Sequence, residues 1–111
     1  MRPIPVSLLI HNATLNDVSL DENFSQMDTE VAALHQVRFE PSTRVVVGTD
    51  NADVQCTAML FFDAISSMPQ GVEIKVEQSI IWEGRRYIVQ AVRPLYDNRK
   101  LHHLEVDLSD G

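Results

Sequence analysis

Apolar and polar positions alternate most clearly in the last third of the chain. β-branched and aromatic residues stand on either side of Gly84. That predicts a tight hairpin between Ile80 to Trp82 and Arg86 to Val92, in a type I′ turn or a type I turn with a bulge, because glycine takes positive φ at little cost. Pro94 is expected to end the second strand, and Tyr96-Asp97-Asn98 to turn the chain into a final one. In that last strand His102, Leu104, Val106 and Leu108 share one face while His103, Glu105 and Asp107 share the other, the period of a sheet with one buried side.

The same reading applied from the start predicts a first strand over Ile4 to Ile10, with Val6, Leu8 and Ile10 on one face and Pro3 and Pro5 kept to its beginning. Asn16 to Thr29 is polar and aperiodic, which predicts a long exposed, partly disordered loop. A strand is expected from His35 up to Pro41. Arg44 to Val47, the turn-rich Gly48 to Asp53, and Val54 to Phe62 then predict an extended hairpin overhanging the core. Ile65 to Gly71 is a connection with at most one helical turn, and Val72, Ile74 and Val76 alternate as another strand. The fold class is all-β: a single-domain small barrel or sandwich of about six or seven mostly antiparallel strands, with one long loop or hairpin extension and at most a short helix.

The 111 residues, 44% of them hydrophobic, suffice for one core and leave no room for a second. The lone cysteine, Cys56, excludes an internal disulfide and falls in the alternating run Val54, Cys56, Ala58, Leu60, Phe62, where an inert buried thiol is expected. No stretch approaches the roughly 20 apolar residues that span a bilayer, so neither a membrane partner nor an extracellular location is expected. The formal net charge of −7 argues against general binding to phosphate backbones. Its distribution is uneven. Asp17, Asp21, Glu22, Asp28 and Glu30 crowd one segment without a basic residue, whereas Arg85, Arg86, Arg93, Arg99 and Lys100 crowd another against Asp97 alone.

Motifs for chemistry are lacking. His102 and His103 are neighbours on a strand and should point to opposite faces, which unsuits them to one metal ion. Asp17, Asp21 and Glu22 lack the spacing and central glycine of a calcium loop. Ser66-Ser67 has no recognisable base, and no phosphate loop, nucleophile elbow or paired-cysteine motif occurs. No catalytic residue, metal ligand or cofactor is therefore expected. The alternative to a purely structural role is a single-stranded nucleic-acid-binding barrel, with Trp82 and Tyr87 stacking bases beside Arg85, Arg86, Arg93 and Arg99; the stronger reading of the same aromatics, which flank the Gly84 turn, is a packed cross-strand pair.

Taken together, Ile10-His11-Asn12-Ala13-Thr14, Val37-Arg38-Phe39-Glu40-Pro41-Ser42, Ala58-Met59-Leu60-Phe61-Phe62-Asp63 with Ser67-Met68-Pro69, Gly84-Arg85-Arg86-Tyr87-Ile88-Val89, and Leu95-Tyr96-Asp97 with Lys100-Leu101-His102-His103-Leu104-Glu105-Val106 resemble, in this order, the minor capsid proteins of long-tailed bacteriophages and prophages. That group looks like the head-closure, or stopper, family of head-tail connectors. The resemblance implies a structural virion protein that forms a homo-oligomeric ring at the head-tail neck, assembled in the host cytoplasm. A portal or adaptor ring would lie above it and a tail protein below, with packaged DNA only passing through; an adaptor or tail-completion role is the neighbouring possibility. It also implies a loop that reaches into the channel, for which Arg44, Val45, Val46, Val47, Gly48, Thr49, Asp50, Asn51, Ala52 and Asp53 are the candidates by position. The acidic residues Asp17, Asp21, Glu22, Asp28 and Glu30 and the basic residues Arg85, Arg86, Arg93, Arg99 and Lys100 are then candidates for the two sides of a ring interface.

Overall fold

The described part of the computed structural model, residues 4–48 and 50–111, contains eight strands. They are β1 (His11–Leu20), β2 (Gln26–Pro41), β3 (Val45–Val47), β4 (Asp53–Gln55), β5 (Ala58–Asp63), β6 (Ser79–Trp82), β7 (Arg85–Asp97) and β8 (Lys100–Asp110). Six of them close into a barrel in the order β1-β2-β5-β8-β7-β6, and every pairing is antiparallel. Closure leaves no continuous sheet edge. Leu15, Leu34, Val37, Leu60, Ile80, Val89, Val106 and Leu108 fill the interior and are fully buried. Each such side chain contributes about 1.5 to 3 kcal/mol of transfer free energy before the entropy of ordering the chain is set against it.

The predicted hairpin at Gly84 is present. Glu83 and Gly84 have φ of 49° and 76°, and Trp82 pairs with Arg85 across the turn, which is the two-residue type I′ form. At the next turn Asn98 takes φ of 58° and closes β7 onto β8. Pro94 does not end β7; it lies inside the strand opposite Leu104. Its missing N–H is tolerated because β6 accompanies β7 only as far as Ile88, so one side of β7 at Pro94 has no ladder to lose.

Three further expectations are corrected. The segment Ile4 to Ile10 is no strand but contains a single 3-10 turn over Val6–Leu8, and its parity is inverted: Leu9 is buried while Val6, Leu8 and Ile10 are exposed. Asn16 to Thr29 is no loop; β1 and β2 continue through it as a paired ribbon, joined at Asp21 to Ser25. Most of that ribbon is exposed on both faces, so no apolar stripe advertises it. Val72 to Val76 is irregular despite its alternation, and only Ile74 enters the core.

The predicted extended hairpin is shorter than expected. β3 and β4 pair as a separate two-stranded sheet, and the second arm ends at Gln55. β5, expected to belong to that arm, is a wall of the barrel between β2 and β8.

Candidate interaction surfaces

Strand register gives the barrel two distinct ends. Pro41, Ala58, Leu108, Trp82 and Arg85 mark one of them, where β2 meets β5, β5 meets β8, and β6 turns into β7. From the other end project the β1–β2 ribbon, turning at Asp21 to Ser25, and the β7–β8 ribbon, turning at Asp97 to Lys100. β5 separates the two ribbons on one side and β6 on the other, so they rise from opposite walls. The molecule is accordingly elongated, 47 Å by 27 Å by 25 Å.

The β1–β2 tip is held by one carboxylate. Asp21 Oδ1 accepts hydrogen bonds from the backbone N–H groups of Asn23 (2.8 Å) and Ser25 (2.9 Å), while Asp21 N–H donates to Ser25 O and Phe24 N–H to Asp21 O. Held in this turn, Phe24 has φ of 60° and is 82% exposed. Left-handed backbone disfavours a bulky residue. Leu20 and Met27 flank it and are exposed as well.

The acidic and basic residues singled out in the sequence are only partly brought together, and where they are, the contact lies within one chain. Arg86 donates to Asp28 through Nε (2.8 Å) and Nη2 (3.0 Å), a fork on a carboxylate. The Arg86 guanidinium holds the Asp28 carboxyl below its ordinary value, against burial, with Ser79 helping; in return it raises Arg86. Asp17 accepts from Gln78 Nε2 at 2.8 Å. Arg93 is half-buried: it pairs with Asp107, which is fully buried on the barrel's outer wall, and with Glu105 at 3.4 Å. Arg85 keeps an exposed side chain, 3.6 Å from Asp110 and over the Tyr87 ring at 5.6 Å. Arg99 and Lys100 are exposed at the β7–β8 tip, and Glu22 and Glu30 are exposed on the β1–β2 ribbon.

The face of β8 expected to be solvated is thus largely buried. His103 is 8% exposed and its Nε2 lies 2.9 Å from Glu105 Oε2; its Nδ1 lies 2.6 Å from His102 Nδ1. Burial works to raise the Glu105 carboxyl, but hydrogen bonds from His103 and Arg93 outweigh it and leave the group below its ordinary value. The two histidines meet edge to face, contrary to the opposite-face expectation, next to a register shift between Leu95 and Tyr96 in the partner strand. Among the described residues no three histidine, cysteine or acidic side chains are grouped to hold a metal. A groove of about 370 Å³ runs between Ile4 and Leu8 of the N-terminal turn and Phe61, Arg38 and His103 of the wall. Such covering of the outer wall by non-sheet segments has no local sequence signal. Ser67 is structural: its Oγ donates to Gln36 O and accepts from Asp63 N–H. Cys56 is buried beside the same wall, and burial, then the Asp107 carboxylate, pushes its thiol up.

The aromatic residues form no stacking platform. Tyr87 is 4% exposed in the core, and Trp82 stacks on Phe39 at 4.2 Å and meets His11 edge-on at 5.0 Å. Nor are Trp82 and Tyr87 a cross-strand pair, since Trp82 opposes Arg85 and Tyr87 opposes Ile80. Both instead contact Phe39, and with Pro41, Ala58 and Arg85 they line a cavity of about 200 Å³ at their end of the barrel. The candidate channel residues Arg44 to Asp53 form the β3–β4 sheet and its tip, Thr49 lying outside the described residues. The described tip turns on Asn51 N–H to Gly48 O and Ala52 N–H to Asp50 Oδ1.

The barrel is small and closed, and ordered, exposed ribbons project from it. The sequence model of the minor capsid protein family matches residues 5–108. The chain belongs to that family. This minor capsid protein is thereby a structural component of a virion. No curated protein matches it. Among solved structures it is similar to the phage-like element PBSX protein xkdH from Bacillus subtilis, at 15% identity and a TM-score of 0.48, over 90% of this chain and 92% of that one.

Proposed function

We propose that this minor capsid protein is a head-closure, or stopper, component of the head-tail connector of a tailed phage or prophage. In this reading copies of the chain form a ring at the neck, below the portal and its adaptor, help retain packaged DNA and offer a docking surface to the tail. Membership of the minor capsid family carries the reading. Its physical support is a barrel from which two ribbons project, carrying exposed apolar residues at their ends, Leu20, Phe24 and Met27 on one and Tyr96 and Leu101 on the other, the form of a part that works by contact. The net charge of −7 suits a conduit through which DNA passes without sticking. The ring interface draws on the acidic β1–β2 ribbon and on the basic residues that the fold leaves at the surface, Arg85, Arg99 and Lys100, rather than on Arg86 and Arg93, which are held by Asp28 and Asp107.

The β3–β4 tip is the proposed channel loop. Shortening it by deleting residues 48–51 is expected to leave the barrel folded, because that sheet is separate from the barrel ladder. Heads carrying the deletion should leak DNA, measured as DNA content per head in particles viewed by electron microscopy. Full removal of the gene should give empty or leaking heads beside finished, separate tails. Intact, filled, tailed particles without the protein would refute the proposal.

A further inference from the structure

We propose that Phe24, at the acidic tip of the β1–β2 ribbon, inserts into the aromatic cavity beside Arg85 of a second copy of the chain. The knob has the geometry of an anchor. Among the described residues it is the most exposed of the large apolar side chains, 82% open, and is held by the Asp21 hydrogen bonds in a backbone conformation that disfavours a bulky residue. Rigid aromatic anchors entering pockets dominate the affinity of protein contacts. The cavity, lined by Phe39, Trp82, Tyr87 and Arg85 among others, measures about 200 Å³. A dry cavity of about 150 Å³ suffices for benzene, so a phenyl ring fits.

Charge selects this pairing. Asp21 and Glu22 flank the knob, and Arg85 lines the cavity with an exposed guanidinium that lies over the Tyr87 ring and 3.6 Å from Asp110. The ribbon tip and the cavity lie at opposite ends of one barrel, so no chain can fill its own cavity, while every copy carries both halves of a head-to-tail contact. This deepens the ring reading above by naming the end-to-end contact between neighbours.

The test is sedimentation velocity of the purified chain from low to high micromolar concentration, with the emission of its single tryptophan, Trp82, followed over the same range. The wild-type chain is expected to self-associate, with a shift in Trp82 emission as the cavity fills. Phe24→Ser, at an exposed tip, should keep the wild-type circular dichroism and weaken association at least tenfold. Glu22→Arg and Arg85→Glu should each weaken it, and the two together should restore it. A monomeric wild-type chain throughout the range would overturn the contact. So would Phe24→Ser association equal to wild type, and that result would leave the ring itself standing on its own particle test.

Discussion

Replacing Arg93 by methionine would remove the guanidinium that forks onto Asp107, a carboxylate with no exposed surface. Breaking a buried ion pair by deleting one partner typically costs about 3 to 5 kcal/mol, because the remaining charge is left desolvated. The Arg93 side chain is 30% exposed, so water reaches the vacated site in part and the lower bound, about 3 kcal/mol, applies. For a domain of this size that corresponds to a fall in Tm of about 12 °C. The assay is urea unfolding followed by Trp82 emission, with thermal melting as a second probe and an unchanged m-value as the check on two-state behaviour. Arg93→Met combined with Asp107→Val should recover most of the loss, since the fully buried charge is then gone and Glu105 keeps its contact with His103. A loss below about 1 kcal/mol for Arg93→Met alone would show that the pair is no more than a surface bridge, and would refute the argument.

Two further substitutions probe the rest of the barrel. Asp28→Asn should cost about 0.5 to 1 kcal/mol at neutral pH, the fork to Arg86 being partly exposed. Asp28's carboxyl is lowered in the folded chain, so its contribution is complete above the unfolded value near 4 and is lost as pH falls through the folded one; stability curves of wild type and Asp28→Asn should therefore converge in acid. Leu60→Ala, in the middle of β5 and fully buried, should cost about 2.5 to 5 kcal/mol by urea unfolding, whereas a loss under 1 would mean that the barrel interior collapses around the gap.

What the sequence reveals depends on how locally each element is determined. The β6–β7 turn is legible because a glycine between β-branched and aromatic runs has few alternatives, and β8 because Leu104, Val106 and Leu108 do face inward. The β1–β2 ribbon is invisible because it is exposed on both faces where it projects; its ladder and the Asp21 turn hold it, and neither leaves an apolar period. Ile4 to Ile10 misleads for the opposite reason. Its alternation is present without a strand partner, and the segment covers the outer wall instead. That covering also accounts for His103, polar by pattern and buried in fact, whereas Asp107 is buried beside Cys56 and Arg93. Of the surfaces, the segregation of charge is legible, but not that Arg86 and Arg93 are already engaged. Phe24 carries no sequence signal beyond an apolar residue among polar ones.

The proline inside β7 bears on what happens when many copies are crowded together. Past Val89, whose N–H and C=O bond to Gln78 and Glu77, β7 has β8 on one side and, among the described residues, no hydrogen-bonded strand on the other. A bare margin of that kind is a template on which another chain can lay down a strand, and a protein that works in company meets such chains constantly. Pro94 takes one donor out of that margin and fixes its backbone there. Side-chain contacts can then decide how copies meet, and uncontrolled growth along the strand edge is suppressed.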